Sequence, residues 1–246
     1  RLLVFGIDRF AGLDNYRFLA EDPRFWNALG NTAVFTGVSV AVEFALGLGI
    51  ALLLSEMKTG RGWMRAIVLV PWAIPTVVSA RMWAWMYNPD FGVLNYLLGA
   101  RVNWLGSPRW AMGAAIAMDA WKTTPFVALL LVAAIETVPP DLRRAAAVDG
   151  AGPWTILRRI TLPTIAPMML VAAVLRALDA FRVFDAIYVL TGGGPANQTE
   201  TLSIYAYKVL FQTLQFGYGS TIAFATFCIL GTVALAGGVA LRRRWA

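Results

Sequence analysis

Five stretches of this chain stay apolar for about 20 residues or more, and that feature constrains the fold more than any other. They run over 32–54, 64–86, 110–135, 164–190 and 220–241. A helix rises about 1.5 Å per residue, so roughly 20 residues cross a hydrocarbon core about 30 Å thick. A membrane β-barrel would instead show segments of about 10 residues with alternating polarity. The pattern predicts an all-α integral membrane protein. Composition agrees: 59% of the 246 residues are hydrophobic and 14% charged, against roughly 45–50% and 25% in soluble domains.

The residues that are scarce narrow the chemistry. Histidine is absent and cysteine occurs once, so no His-based triad, internal disulfide or Cys/His metal cluster can form. No Gly-x-x-x-x-Gly-Lys-Ser/Thr occurs, so the chain cannot cradle ATP phosphates through that loop. The net charge of +7 comes from basic residues spaced between apolar runs, unlike the basic face of a nucleic-acid-binding domain.

The chain reads as one transmembrane domain over 1–246, with a polar outer segment at 1–26 and a structured loop at 136–163. Orientation follows lysine and arginine in the loops. Lys58, Arg61, Arg65, Arg143, Arg144, Arg158, Arg159 and Arg242, Arg243, Arg244 collect on one side. Arg1, Arg9, Arg17, Arg24, Arg101, Arg109 and Lys208 fall on the other, with acids interspersed near the N-terminus. The 136–163 loop and the C-terminus are therefore expected in the cytoplasm. Five spans then put Arg1 outside, which implies a further span upstream. The tryptophans, including Trp26, Trp63, Trp83, Trp85, Trp104 and Trp110, cluster near the expected interfaces as an aromatic belt.

The 136–163 loop carries the most local information. Pro139 and Pro140 stop the preceding span, Asp141 is a candidate N-cap, and Ala145, Ala146 and Ala147 favour helix. Gly150 falls where a helix end takes a left-handed residue. A second short helix is expected from Pro153 to before Pro163. Its small exposed residues leave two readings open: a plain amphipathic surface loop, or a face that another protein approaches closely.

These residues also carry a resemblance. Ala145–Ala146, Gly150 and Ile160-Thr161-Leu162-Pro163 resemble the "EAA" loop of ABC importer permeases. Arg144 departs from that pattern, since the family often has an acid there. The segments Phe181-Arg182-Val183-Phe184-Asp185 and Thr191-Gly192-Gly193-Gly194-Pro195 resemble the carbohydrate-importer branch. So do Gly12-Leu13-Asp14-Asn15-Tyr16 and Asn31-Thr32. Trp121-Lys122-Thr123-Thr124-Pro125-Phe126 and Leu178-Asp179-Ala180-Phe181-Arg182 look most like trehalose/maltose-type permeases. The resemblance implies a type I ABC importer permease core, with one N-terminal span missing from these 246 residues. It implies a coupling helix using Leu142, Arg143, Ala145, Ala146, Asp149, Gly150 and Ala151. It also implies a second permease subunit in a heterodimer, two cytoplasmic ATPase subunits that hold ATP and Mg, and an extracytoplasmic sugar-binding protein. The setting would be a bacterial inner membrane. No cofactor is expected on this chain.

Charges within spans are costly, so each asks for a partner or water. Arg176, Asp179, Arg182 and Asp185 recur every three residues in the fourth stretch, and Asp119 and Lys122 repeat the spacing in the third. Such pairs either neutralise each other to permit insertion or line a translocation path. Trp121, Lys122, Thr123, Asp179, Arg182 and Asp185 are the path candidates, with Trp72 as a further aromatic. Glu43 has no partner on its own stretch, so a contact from another helix or another subunit is expected. The residues fit an importer subunit without enzymatic activity of its own. A secondary transporter or channel, or an intramembrane enzyme built on Asp119/Lys122 or Asp179/Asp185, are the competing classes.

Overall fold

The computed structural model describes residues 12–57 and 59–245, with side chains through Val239. Arg1, Arg9 and Lys58 and the side chains of Arg242, Arg243 and Arg244, all used above for orientation, lie outside the described residues. The secondary structure is helical. It comprises α1 (Asp14–Glu21), α2 (Pro23–Glu56), α3 (Arg61–Ala73), α4 (Thr76–Met86), α5 (Val93–Leu98) and α6 (Ala111–Glu136). Then follow α7 (Pro140–Val148), α8 (Pro153–Ile156), α9 (Leu162–Phe181), α10 (Asp185–Leu190), α11 (Leu202–Tyr207) and α12 (Phe216–Trp245). Wider π turns occupy Leu157–Thr161 and Lys208–Gln212.

Among the described residues, four helical stretches are long and apolar enough to cross a bilayer: Pro23–Glu56, Ala111–Glu136, Pro153–Phe181 and Phe216–Val239. The broken pair α3 and α4 makes a fifth if counted as one span. This break corrects the expectation of a continuous helix over 64–86. Ile74 takes an extended conformation, φ −73° and ψ 132°, the geometry that a following proline imposes.

The fourth stretch differs at both ends. Helix continues from Pro153 through the π turn into α9 instead of stopping before Pro163. The Leu162 amide reaches the Leu157 carbonyl five residues back. That widened turn precedes Pro163, which has no N–H to offer the ladder. Thr164 Oγ1 donates to the Ile160 carbonyl at 2.6 Å. At the far end α9 stops at Phe181 and α10 starts afresh at Asp185. Between them the Val183 carbonyl turns sideways to accept from Thr201 Oγ1 at 3.3 Å. The spaced charges of 176–185 therefore do not share one helix.

The chain divides into two compact units. One gathers Arg1–Ser39, Pro75–Asp119 and Ala177–Val233, taken over their described residues; the other gathers Val40–Ile74, Ala120–Arg176 and Ala234–Ala246 likewise. In the first, Leu19, Phe25, Phe181, Leu202, Tyr205 and Ile222 form the core, and α10 packs on α4. In the second, Ala51, Leu54, Val127, Leu131, Ile135 and Ile165 form the core. There α2 meets α6 through Gly47: a Cβ on that residue would lie 3.0 Å from Val127 Cγ1 and 3.2 Å from the Ala128 amide. Small residues that admit such close backbone approach are how helices associate where hydrophobicity offers no net drive.

Candidate functional site

The loop after α6 folds as two helices with a sharp bend. Helix α7 begins with Pro139 as N-cap and Pro140 at its first position. Asp141 is thus one residue inside the helix and makes no capping bond, contrary to the N-cap expectation. It pairs instead with Arg144 at 3.3 Å on the surface. The end of α7 is firmly closed. The Ala151 amide bonds the Ala146 carbonyl at 2.9 Å and the Gly150 amide bonds the Ala147 carbonyl at 3.1 Å. This is the double bond of a Schellman cap. It requires the left-handed φ of +84° that Gly150 adopts. No residue of α7 is buried. Leu142 and Val148 stand 51% and 87% exposed, with Ala145 between them on the surface. Asp149 is exposed and Ala146 and Ala151 half-buried. Arg143 bonds Glu56, the last residue of α2, at 2.5 Å. Arg65 bonds Glu136, the last residue of α6, at 2.5 Å. The helix thus presents an exposed face that includes Leu142, Ala145 and Val148, while the Arg143–Glu56 pair ties it to the end of α2.

Deep in the same unit, Glu43 of α2 receives Arg176 of α9. Arg176 Nε donates to Glu43 Oε2 at 2.6 Å and Nη2 to Oε1 at 2.8 Å. Thr123 Oγ1 of α6 donates to Glu43 Oε1 at 2.6 Å and accepts from Arg176 Nη2 at 3.3 Å. The carboxylate is fully enclosed and the guanidinium nearly so. The partner of Glu43 is on another helix, 133 residues away. Lys122, the neighbour of Thr123, is buried and donates to the Trp72 carbonyl at 3.4 Å. That carbonyl belongs to the last turn of α3, just before the break that frees backbone acceptors. Trp72 stacks on Phe126 with centroids 5.6 Å apart and planes 12° apart.

In the other unit, Asp179 and Arg182 pair at 3.1 Å and both stand exposed. Asp185 is exposed at the first position of α10. In the first unit Asp179, Arg182 and Asp185 are exposed. In the second unit Trp121 is half-buried, and Lys122 and Thr123 make protein contacts.

Sequence reasoning singled out Asn31-Thr32 and the Thr191–Pro195 run separately, without placing them together. In the first unit Asn31 Nδ2 donates to the Asn197 and Glu200 carbonyls at 2.9 and 3.1 Å, and Thr32 Oγ1 accepts the Leu202 amide at 2.9 Å. Glu200 is fully buried and bound by Arg24 Nε at 2.7 Å, Arg24 Nη2 at 2.8 Å and Lys208 Nζ at 2.7 Å. Burial opposes ionisation of Glu200, but those cations prevail and hold its carboxyl below the ordinary range. Asp22 caps α2 through its bond to the Arg24 amide at 2.9 Å. Its other oxygen accepts from Tyr205 and Tyr218, each at 2.5 Å. Burial again acts upward on Asp22 and the two phenols outweigh it, so the carboxyl lies below its usual value. Burial, and then the bond to Asp22, push the Tyr205 phenol up to about 12.

Several apolar helices of membrane-crossing length, with a capped surface helix between two of them, define a multi-span membrane protein. The chain belongs to the family described as the binding-protein-dependent transport system inner membrane component, whose model matches residues 44–245. It is 46% identical over 225 residues to the trehalose/maltose transport system permease protein of Thermococcus litoralis, covering 90% of this chain and 76% of that one. It is 43% identical over 225 residues to the trehalose transport system permease protein of Mycobacterium tuberculosis, covering 92% and 73%. A crystal structure of a bacterial ABC transporter that imports the acidic polysaccharide alginate contains a chain matching 98% of this one and 87% of its own length. The TM-score is 0.87 and the identity 27%.

Proposed function

We propose that this chain is the transmembrane subunit of an ATP-driven ABC importer for a carbohydrate, with a disaccharide such as trehalose or maltose first among candidates. The single observation that carries the mechanism is α7, an exposed helix with no buried residue, closed by Gly150 and tied by Arg143 to the end of α2. In this reading α7 sits in a cleft of a separate ATPase, which holds ATP and Mg. Leu142, Arg143, Ala145, Ala146, Asp149, Gly150 and Ala151 meet that partner. Closure of two ATPases draws the coupling helices together, and the permease pair alternates between outward- and inward-facing states. The loop and the C-terminus lie in the cytoplasm, and a sugar-loaded binding protein docks on the opposite face. The names of two relatives, a trehalose/maltose and a trehalose transport permease, support the substrate class.

Charge in a membrane needs water or protein around it, so the exposed Asp179–Arg182 pair and Asp185 are proposed for the sugar path. The test is reconstitution with the partner permease, ATPase and binding protein in vesicles. Trehalose or maltose should stimulate ATP hydrolysis and enter only with ATP present. Uptake that continues without the ATPase, driven by an ion gradient, would overturn this in favour of a secondary transporter.

A further inference from the structure

The short helix α5 turns its large apolar side chains outward. Phe91, just before it, is 73% exposed, and Tyr96, Leu97 and Leu98 are 85%, 71% and 60% exposed. No charged residue falls between Asp90 and Arg101. Single apolar side chains on a surface need no explanation, but a contiguous set marks an interaction surface. The polar groups of the segment point the other way. Asn95 is buried; its Nδ2 donates to the Pro89 and Val102 carbonyls at 3.2 and 2.9 Å, and its Oδ1 accepts from the Val102 amide at 3.3 Å. Asn88 Oδ1 accepts from the Asp90 and Phe91 amides at 2.8 and 3.2 Å.

Contacts fix this segment at the level where α6 begins. Helix α6 has 26 residues, about 39 Å at 1.5 Å per residue, against a hydrocarbon core about 30 Å thick. Its first turn therefore lies near the edge of the core. Tyr87 Oη donates to the carbonyl of Ala114, in that first turn, at 2.9 Å. The Trp104 ring lies 5.8 Å from the Tyr87 ring and 5.6 Å from that of Trp110, and the Arg109 guanidinium stands 5.3 Å over Trp110. Aromatic rings with a cation at the end of a span mark the membrane–water interface. Trp104 Nε1 in turn donates to Asn95 Oδ1 at 2.9 Å, which ties α5 to the same level. All of these residues belong to one compact unit.

A helix of six residues, about 9 Å long, cannot cross the core and must lie along its edge. Backbone that meets lipid has to be satisfied from within, and Asn88 and Asn95 do this for the turns on either side of α5. A protein interface sets hydrogen-bonding groups among its apolar ones; from Phe91 to Ala100 the exposed side chains offer only the Tyr96 hydroxyl. The apolar surface also continues onto α4, where Val78 and Trp85 are exposed. We propose that α5 is an interfacial anchor: Phe91, Tyr96, Leu97 and Leu98 enter the headgroup–acyl boundary of the leaflet at which α6 begins, and the Asn95–Trp104 bond transmits that fixed depth to the start of the span. The inference is independent of which solute the transporter carries.

Spin labelling of the complete transporter in dioleoylphosphatidylcholine nanodiscs tests this. With C228A in this chain and cysteine-free partner subunits, one label is placed at a time through L97C or R101C, both on exposed side chains. The L97C label should collide more often with dissolved oxygen than with a water-soluble nickel chelate. It should sit about 5–10 Å below the phosphate level, the depth of an interfacial apolar face. The R101C label, at the charged end of the same segment, should show the opposite preference. Adding the sugar-binding protein should change neither. Free access of the nickel chelate to the L97C label would place α5 in water and overturn the proposal. Few collisions with either reagent would show that another polypeptide covers α5, and would also overturn it. Protection from nickel that appears only with the binding protein would make α5 that protein's docking surface, and would equally overturn it.

Discussion

Arg176 grips Glu43 with two nitrogens, Nε at 2.6 Å and Nη2 at 2.8 Å, although 133 residues separate them in the chain. One residue belongs to α9 and the other to α2, and Thr123 of α6 bonds both. Three helices thus meet at a single ion pair and its threonine. Its atoms are satisfied within the protein, which is the condition for charge to persist among apolar helices.

Removing one member should cost far more than removing both. E43A removes the carboxylate that takes two bonds from the enclosed Arg176 guanidinium, and breaking a buried pair in this way costs about 3–5 kcal/mol. Replacing the pair with apolar side chains of similar size, E43L/R176M, removes both charges and should recover most of that loss. Thermal unfolding of the purified protein in one detergent checks both. A double variant as unstable as E43A would refute the account.

The architecture was legible because apolar length is a one-dimensional signal, and the end of α7 was legible because Gly150 marks a left-handed position. Broken elements were less so. Pro75 splits the second stretch while Pro125 stays inside an unbroken α6; the sequence offers the same residue in both places, and only the neighbours decide. The three-residue spacing of Arg176, Asp179, Arg182 and Asp185 suggests ion pairs along one span, but α9 stops at Phe181 and Asp185 opens α10. Glu43 announced a missing partner without saying where. Long-range pairs such as Glu43–Arg176 and Arg24–Glu200 depend on which helices become neighbours, and no local period encodes that.

Close packing of α2 on α6 gives a second test. A Cβ at Gly47 would already lie 3.0 Å from Val127 Cγ1, with the Ala128 backbone behind it. G47L should therefore force the helices apart and cost about 1–3 kcal/mol, the usual penalty for overpacking. Gly49, two residues on and about 200° round the helix, has open space around its Cβ position, so G49L should change the melting temperature by much less. Equal effects at both positions would show that helix propensity, not packing, is responsible.

Acid should loosen the first unit through Asp22 and Glu200. Both carboxyls are held below their ordinary values in the folded state. The sign follows: each contributes stability that is fully present above its unfolded pKa and is lost as pH falls through the lower folded one. With ordinary values near 3.9 and 4.3, melting temperature should be flat from about pH 8 to 5 and fall below about pH 4. Y205F removes one of the two phenol bonds to Asp22. A hydrogen bond to a charged group is worth about 1.5–3 kcal/mol, so this variant should melt lower at neutral pH. Its acid limb should also be shallower, because less of the Asp22 shift remains to lose. An unchanged acid limb in Y205F would show that Asp22 does not govern it.

Gly150 separates folding from coupling. No atom lies within 4 Å of a Cβ built there, so a side chain meets only the backbone penalty of φ +84°. That penalty is roughly 1–2 kcal/mol for an L-residue in the left-handed region. It should be met by opening the Schellman bonds from Ala151 and Gly150, not by unfolding the spans. G150V should thus insert and melt close to wild type, yet present α7 with its end undone. If α7 transmits the ATPase stroke, reconstituted G150V transporter should still hydrolyse ATP while its sugar uptake per ATP falls at least about fivefold. G150N, which tolerates the left-handed region better, should retain most uptake. Wild-type uptake in G150V would remove the coupling role assigned to α7. Equal loss in G150V and G150N would locate the fault in side-chain bulk against the ATPase, not in the cap.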